Sequence, residues 1–176
     1  MPENEICFWT QPVGIKGWDY DLTLAVTARG LCRLGLGQAL EEEEALAVWV
    51  RRWYPGYRLI RNRQVKHRFI KEIEEYLMGK RQIFTVPLDL KGTPFQVRVW
   101  EELCRIPYGQ TRSYSFVAQQ IGCPKGCRAV GSANNKNPLP LIIPCHRVLG
   151  QNGSLTGYRG GLDLKLKILQ LEGVKI

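Results

Sequence analysis

Apolar and polar residues alternate over residues 21–26, with the period of two that a half-buried β-strand requires. Gly30 marks a turn into a second strand over residues 31–36, so the chain is predicted to begin with a β-hairpin. Residues 41–52 follow with four glutamates at their start and two arginines at their end, an order of charges that a helix dipole favours. Apolar residues recur at helical spacing again over residues 65–77, which predicts a second helix.

The best candidate for a domain boundary lies in the middle of the chain. Residues 83–86 are predicted as a closing strand, and residues 87–92 then combine Pro, Asp and Gly just before a clear helix start. We therefore predict a structural N-terminal domain over residues 1–86. A second, C-terminal domain is predicted over residues 87–176.

The second half of the chain is predicted to be mainly helical. A capping box formed by Thr93 and Gln96 starts a helix that runs to about residue 105. Two shorter helices, over about residues 113–121 and residues 127–135, are joined by a turn that contains glycine, and such a pair predicts a helix-turn-helix. A last helix, apolar on most sides, ends at Glu172.

Composition and charge narrow the class of protein. The 176 residues are 44% hydrophobic and 23% charged, which is typical of a globular chain. The net charge is +9, and residues 87–176 hold 12 basic against 5 acidic residues, whereas residues 1–86 hold 13 against 11. A basic half-chain favours a polyanion as partner, although charge that only keeps the surface soluble is the alternative. Residues 51–71 hold eight basic residues and no acid; we interpret them as a solvated surface, with contact to a phosphate backbone as the alternative.

The sequence gives no support for export or membrane insertion. Apolar runs such as residues 141–143 fall far short of the roughly 20 residues that span a bilayer, and the N-terminus lacks the basic start of a secretory signal. We therefore expect a protein of the cytoplasm, or of the nucleus in a eukaryote, with no membrane partner. The six cysteines are expected to be reduced. No two cysteines have the C-x2-C spacing typical of a zinc site and only two histidines are present, so we expect no metal.

Cys145 is the strongest candidate for chemistry, because one of the two histidines follows it directly. The thiolate is the reactive form, and an unperturbed thiol with a pKa of about 8.5 is mostly protonated at neutral pH, so a nearby base or cation is required. Residues 139–143 before it are predicted to be extended, and side chains of neighbouring residues on an extended chain point in opposite directions. His146 therefore needs a sharp turn or a bridging water to reach the sulfur. The dipeptide by itself is still more typical of a buried thiol beside a chance histidine.

The wider motif changes that interpretation. The pentapeptide PCHRV at residues 144–148 is preceded by RAVG at residues 128–131 and by Asn137-Pro138, and it is followed by GYRGG at residues 157–161. This set resembles the O6-alkylguanine-DNA alkyltransferases, a family of DNA repair proteins that each react once. The resemblance implies an α+β protein. Its N-terminal α/β domain is expected to be structural and ribonuclease H-like. Its C-terminal domain, residues 87–176, is expected to be mainly helical with a helix-turn-helix, to bind DNA and to carry out alkyl transfer.

The resemblance implies a single-turnover methyltransferase that needs no cofactor and takes an alkyl group from O6 of guanine, with O4 of thymine left open as a second substrate. Cys145 corresponds to the alkyl acceptor, His146 to a water-mediated general base and Glu172 to the carboxylate that orients the imidazole. Asn137 corresponds to the residue that holds the turn beside the thiolate. With this support, we expect the pKa of Cys145 to lie below its ordinary value.

Double-stranded DNA is the partner that the resemblance implies, with the damaged base flipped out of the stack. Arg128 corresponds to the finger that takes the place of the flipped base, and Tyr114 to the residue that crowds the neighbouring phosphate and assists at the base. The family binds in the minor groove, which carries little sequence information. Small residues on the same helix would allow a close approach to DNA: Ala129, Gly131 and Ser132. We expect the protein to act as a monomer.

The pocket for the alkylated base is implied by the same resemblance. Pro140, Tyr158 and Gly160 correspond to its walls and backbone. Arg159 departs from the pattern, because it is bulky and charged where some relatives have a small residue beside the pocket. Tolerance of large alkyl groups is therefore not implied for this chain.

Two other functions remain as alternatives. A protein that binds alkylated DNA without transfer would lack the cysteine of the motif, and Cys145 is present. A cysteine hydrolase that uses Cys145 and His146 would leave Arg128 and the basic half of the chain without a role. A hydrolase turns over many times, so counting turnovers distinguishes it from a protein that reacts once.

Overall fold

The computed structural model of the chain describes residue 2 and residues 4–176, with the backbone alone described for residues 66–68. The basic stretch at residues 51–71 thus lies partly outside the described side chains. The chain divides into two compact units, Met1–Lys91 and Gly92–Ile176. This division falls a few residues after the end of the predicted N-terminal domain.

In the described part of the first unit, four strands form one sheet with helices packed on it. The elements are β1 (Glu5–Pro12), β2 (Asp21–Thr27), β3 (Gly30–Gly37), α1 (Ala39–Trp53), β4 (Arg58–Arg61) and α2 (Lys66–Leu77). The strand order is β3-β2-β1-β4, and the pairs are antiparallel except for the parallel pair of β1 and β4. Leu46 and Val50 of α1 pack with Ile6 and Cys32 of the sheet in an apolar cluster. The predicted hairpin and both predicted helices are confirmed.

The predicted strand at residues 83–86 is wrong. These residues have no regular structure, and Ile83 is exposed. The sheet instead meets the residues that follow: the Leu31 N–H donates to the Pro87 carbonyl at 2.9 Å, and the Asp89 N–H donates to the Leu31 carbonyl at 2.9 Å. A Cβ at Gly30 would lie 2.3 Å from the Pro87 carbonyl oxygen, so this approach requires glycine. This pairing explains why the unit extends beyond the predicted boundary.

Asp89 holds the end of this segment. Its carboxylate accepts hydrogen bonds from the Thr27 hydroxyl at 2.8 Å and from Arg29 Nη2 at 3.0 Å. The Tyr54 hydroxyl donates to the Asp89 backbone carbonyl at 3.2 Å. A buried carboxylate with these donors is satisfied, so the network stabilises the edge of the unit.

The second unit is mainly helical. Its elements are α3 (Pro94–Cys104), β5 (Arg112–Ser113), α4 (Tyr114–Gln120), α5 (Cys127–Asn135), a 3₁₀ turn (Cys145–Arg147), β6 (Val148–Leu149) and α6 (Leu162–Leu171). The predicted capping box of Thr93 and Gln96 is present at the start of α3. Helices α3, α4 and α5 pack together, and the Trp100 indole N–H donates to the Ala133 carbonyl at 2.9 Å. Helices α4 and α5 form the predicted helix-turn-helix.

Residues 139–143 are not extended, contrary to the prediction. The Ile143 N–H donates to the Leu139 carbonyl at 2.9 Å, and Leu141 has φ of 71°, so the segment is a compact turn. Asn137 supplies the reason: its side-chain oxygen accepts from the Leu139 N–H at 2.9 Å, and its side-chain amide donates to the Ile143 carbonyl at 2.8 Å. The side chain of Asn137 thus forms hydrogen bonds with backbone groups that an extended segment would pair with a neighbouring strand.

Together, a unit built on a mixed sheet and a mainly helical unit confirm the predicted α+β class. Every helix in the described part of the chain is too short or too polar to serve as a transmembrane span.

Candidate active site

The 3₁₀ turn at Cys145–Arg147 carries the chemical groups of the second unit, and two asparagines hold it in place. The Asn134 side-chain amide donates to the Cys145 carbonyl at 3.2 Å, while Asn137 binds the turn before it. Both asparagines are buried. Because one lies in α5 and the other just after it, the turn is tied directly to the second helix of the helix-turn-helix.

The Cys145 thiol is 4% exposed. Burial raises its pKa, and this effect outweighs interactions that lower the pKa, which come from Asn137, Lys165 and Tyr158. The expectation that the pKa of Cys145 lies below its ordinary value is therefore wrong. Desolvation cannot be read from a motif, because it depends on all the groups packed around the sulfur. The resting site holds a protonated thiol surrounded by groups that favour its ionised form.

Glu172 accepts hydrogen bonds from three residues at a fully buried position. His146 Nε2 lies 2.9 Å from Oε1, and the backbone N–H of Gly109 donates to Oε2 at 3.1 Å. Arg147 donates from Nε to Oε2 at 2.9 Å and from Nη2 to Oε1 at 2.8 Å, which is a two-point ion pair. Arg147 therefore neutralises Glu172, and its Nη1 donates to the Ile106 carbonyl at 2.6 Å.

These contacts determine which nitrogen of His146 can act as a base. Burial lowers the pKa of His146, and the attraction of Glu172 opposes this only in part, so the imidazole is neutral at neutral pH. A carboxylate only accepts hydrogen bonds, so Nε2 carries the proton that points at Glu172. The lone pair of the ring is then on Nδ1, and that atom can take a proton.

A cavity of about 570 Å³ lies beside this turn, within the size range of small-ligand pockets. Its lining residues come from α4, α5 and the loop after β6: Tyr114, Cys127, Arg128, Gly131, Ser132, Asn135, Thr156, Gly157 and Tyr158. Five residues predicted from the sequence are thus brought together here: Tyr114, Arg128, Gly131, Ser132 and Tyr158. The other eight predicted residues lie outside this lining in the described part of the chain: Ala129, Asn137, Pro140, Cys145, His146, Arg159, Gly160 and Glu172.

Tyr158 connects the cavity with the thiol. It lines the cavity, and its side chain lies close enough to Cys145 to lower the pKa of the thiol. Burial raises the pKa of Tyr158 well above its ordinary value, and burial also raises the pKa of Tyr114. Both phenols are therefore protonated at neutral pH and can donate hydrogen bonds to a bound molecule.

Lys165 belongs to the same site, although no prediction from the sequence included it. It is fully buried, and its Nζ donates to the Val148 carbonyl at 2.6 Å and to the Thr156 carbonyl at 2.8 Å. Burial lowers its pKa to about 8. The sequence contains an indication that Lys165 is buried, because Lys165 lies on the same helical face as Ile168 and Leu169, three and four residues later. Gly157 belongs to the GYRGG segment of the motif set, whereas Cys127, Asn135 and Thr156 have no comparable signal in the sequence.

Among the described residues, no three His, Cys, Asp or Glu side chains are grouped as a metal site would require. That a metal plays no part stays a prediction.

Two family models match the chain. The model described as "6-O-methylguanine DNA methyltransferase, DNA binding domain" matches residues 94–174, and the model described as "6-O-methylguanine DNA methyltransferase, ribonuclease-like domain" matches residues 20–90. Together they span most of the chain. They confirm the predicted ribonuclease-like N-terminal domain and the DNA-binding character of the C-terminal part.

Relatives match over nearly the whole chain. The inducible methylated-DNA–protein-cysteine methyltransferase of Bacillus subtilis is 47% identical over 172 residues, which are 98% of this chain and 94% of that protein. The methylated-DNA–protein-cysteine methyltransferase of Methanosarcina barkeri is 42% identical over 151 residues, 86% of this chain and 89% of that protein. Among solved structures, Mycobacterium tuberculosis OGT in complex with DNA superposes with a TM-score of 0.73 at 36% identity, covering 96% of this chain and 92% of that chain.

Proposed function

The chain belongs to the 6-O-methylguanine DNA methyltransferase family, and from this premise we propose how its residues divide the work of repair. The protein repairs DNA by direct reversal, moving an alkyl group from DNA to one of its own cysteines. It binds DNA, as its DNA-binding domain and the DNA complex of a relative indicate. The resemblance found in the PCHRV motif is confirmed. The assignment of individual residues, the lesion, the groove and the oligomeric state are proposals.

We propose that Cys145 is the acceptor. The observation that carries this is the arrangement around the 3₁₀ turn: His146, next to the cysteine, has its Nε2–H on the buried Glu172 carboxylate, which leaves Nδ1 to act as base. The exposed cysteine of the unit, Cys104, has no such surroundings in the described structure. A base oriented by a carboxylate is what a weak nucleophile needs in order to become reactive.

The proposed reaction is a displacement at carbon. The Cys145 sulfur attacks the alkyl carbon on O6 of guanine from the side opposite the oxygen, so a C–S bond forms as the C–O bond breaks. The electron pair of the C–O bond returns to the base, which takes up a proton and becomes unmodified guanine. The thiol proton leaves toward His146 Nδ1, through a water, as the sulfur becomes nucleophilic. Asn137 and Tyr158 both lower the pKa of the thiol, so they favour the negative charge that the sulfur develops during this step.

The damaged base is proposed to reach the cavity by flipping out of a duplex. Arg128 is exposed on α5 and lines the cavity, so it can enter the stack where the base was. Tyr114, at the start of α4, lines the same cavity and is placed to crowd the adjacent phosphate and to donate to the base. A duplex with a mismatched or damaged base opens more easily, which favours lesions such as O6-alkylguanine.

The minor groove is the proposed site of docking. A Cβ added at Gly131 would lie 3.8 Å from the Tyr114 ring, an ordinary contact, so packing inside the protein does not explain glycine there. Together with Ala129 and Ser132, it gives α5 a smooth outer surface that can approach a groove closely. Because the substrate is DNA, we propose that a monomer works where the chromosome is, in the cytoplasm or, in a eukaryote, the nucleus.

The test is the intact mass of the protein after incubation with a duplex that contains O6-methylguanine. We expect one methyl group per protein, located at Cys145 by peptide mapping, and a plateau at about one transfer when lesion DNA is in excess. A thioether has no carbonyl for water to attack, so the product is not regenerated. Cys104→Ala is the matched control and should transfer normally. Repeated turnover, or labelling mainly at another cysteine, would defeat the proposal.

A further inference from the structure

Lys165 is the one buried lysine among the described residues, and its environment is unusual. Its side chain is fully buried in the middle of α6. Its Nζ is held by two neutral acceptors, the carbonyls of Val148 and Thr156, and lies 6.0 Å from the centre of the Tyr114 ring. Lysines are almost never fully buried unless they are paired with an anion. In the described part of the chain, however, no carboxylate forms an ion pair with it.

The titratable groups that face Lys165 come from two other elements of the unit: Tyr114 from α4, and Cys145 and His146 from the 3₁₀ turn. Tyr114 stays neutral because burial raises the pKa of its hydroxyl. His146 becomes neutral or positive, never negative. Cys145 is therefore the group in this set that can supply a negative charge opposite the lysine during the reaction.

The two contacts of Lys165 also explain its position. Val148 directly follows the 3₁₀ turn, so one hydrogen bond ties the lysine to the segment that carries Cys145. Thr156 lines the cavity, so the other hydrogen bond ties the lysine to the loop that forms the pocket wall. The ammonium group is thus hydrogen-bonded both to the segment that follows the nucleophile and to a residue of the cavity wall.

We infer that Lys165 is a positioning residue whose ammonium charge stabilises the Cys145 thiolate as it forms, while its two hydrogen bonds hold strand β6 and the pocket loop around the reacting sulfur. This inference rests on the proposed function, because it assigns Lys165 to the transfer at Cys145. Before transfer, the ionising sulfur compensates the charge of the lysine. Afterwards the sulfur is a neutral thioether, so the interaction exists only in the unreacted protein and on the way to the transition state.

The test measures the ionisation of Cys145 without DNA. The rate at which iodoacetamide labels Cys145, followed by peptide mapping, is recorded against pH for the full chain. Lys165→Met keeps the approximate volume and removes the charge; Lys165→Arg keeps the charge. Lys175→Met is the control, because it removes the same charge at an exposed position. If a substitution changes only how easily iodoacetamide reaches Cys145, the labelling rate changes by the same factor at every pH. If it removes a charge near the sulfur, the curve of labelling rate against pH moves along the pH axis.

We expect the Lys165→Met profile to move to higher pH by about one unit, which means about tenfold less thiolate at a given pH on the rising limb. The Lys165→Arg and Lys175→Met profiles should stay with that of the unmodified chain. An unmoved Lys165→Met profile, or one that is lowered equally at every pH, would overturn the inference and leave Lys165 as a structural tether.

A second measurement does not depend on whether Lys165→Met folds. The coupling of two charges is reciprocal, so Cys145 must affect Lys165 as Lys165 affects Cys145. The Nζ titration of Lys165, followed by NMR in ¹⁵N-labelled protein, should lie at higher pH in Cys145→Asp than in Cys145→Ser, because only the aspartate can carry a negative charge while the lysine titrates. An equal titration in both proteins would overturn the inference. These readouts involve no lesion, so if they succeed while Cys145 of the unmodified protein accepts no methyl group from DNA, the proposed function fails by itself.

Discussion

Cys32 and Cys145 are both buried thiols, one in each unit, and burial raises the pKa of both. Cys32 lies in the apolar cluster between sheet and helix α1, donates to the Ala25 carbonyl at 3.2 Å, and has a pKa of about 12. Cys145 is surrounded by an asparagine amide, a tyrosine hydroxyl and a lysine that all favour its ionised form. Burial raises the pKa of both thiols, so the charges and hydrogen-bond donors around each thiol decide which one is a candidate nucleophile.

The sign of the nearest charges separates the two sites further. At Cys32 the carboxylate of Asp89 raises the pKa of the thiol, in addition to the effect of burial, and its effect is larger than that of either Arg33 or Tyr54, which lower the pKa. At Cys145 the ammonium group of Lys165 lowers it, and the carboxylate of Glu172 is already neutralised by Arg147. An anion beside a thiol opposes ionisation and a cation supports it. Each prediction below tests whether this contrast decides which cysteine reacts.

Replacing each cysteine by alanine, which removes its sulfur, should give the largest difference between the two sites. Cys145→Ala is expected to abolish transfer while DNA binding persists, because the sulfur is the acceptor and does not lie on the cavity lining. Cys32→Ala should transfer normally and lose only about 1 kcal/mol of stability, as expected for a small cavity in a core. Methyl transfer by mass spectrometry and thermal unfolding by circular dichroism measure the two effects. Loss of transfer in Cys32→Ala at a temperature where it is folded would break the comparison.

Arg128→Ala tests whether entry of a flipped base into the cavity is what distinguishes Cys145 from Cys32. We expect duplex repair to weaken by a few kcal/mol, comparable to the cost of unstacking a base, while reaction with free O6-benzylguanine changes little. Arg98→Ala is the matched control, since it removes an exposed arginine from a helix of the same unit. The measurement is the second-order rate constant with each substrate. Equal losses with duplex and free base would remove Arg128 from base flipping.

Glu172→Gln should make Cys145 less reactive, because it weakens the base beside this thiol. The attraction of Glu172 raises the pKa of His146, so its loss lowers that pKa further and weakens the base. Transfer is expected to slow by roughly a hundredfold, within the range for general-base catalysis, with DNA affinity nearly unchanged.

The same substitution leaves Arg147 buried without its anion, which also costs stability. Rates must therefore be compared at a temperature where unfolding curves show the variant folded. Glu101→Gln, at an exposed position of α3, is the control for the change in charge. If reduced DNA affinity accounts for the whole loss of rate, Glu172 has a structural role only.

The smallest expected effect is the change in the rate constant of transfer as the pH is lowered. The pKa of His146 is lowered by burial, so the base stays neutral at pH values where an ordinary histidine, with a pKa of about 6.5, is already charged. The rate constant should therefore remain level as pH falls to that value and decline only below it. Single-turnover rates across a pH series measure this. A decline that begins above the ordinary histidine value would mean that His146 is not the base.

Several elements were predictable because their signals are local. Helix α5 has the predicted bounds, and the capping box of Thr93 and Gln96 begins α3 as predicted. Strands β1 and β4 were missed because their short runs mix apolar with charged or aromatic residues, and their parallel pairing joins residues far apart in the chain. The strand predicted at residues 83–86 failed for the same reason, since a strand requires a neighbour that the local pattern does not supply.

The order of residues was enough to locate the chemistry in PCHRV, to place the helices that carry Tyr114 and Arg128, and to identify the family. The folded chain decided the direction of the pKa of Cys145, because desolvation depends on every group packed around the sulfur. It also decided that Arg147 neutralises Glu172 and that Lys165 lies among the groups of the site. Local order carries capping, periodicity and motif; charge and burial at a site come from residues that only folding brings together.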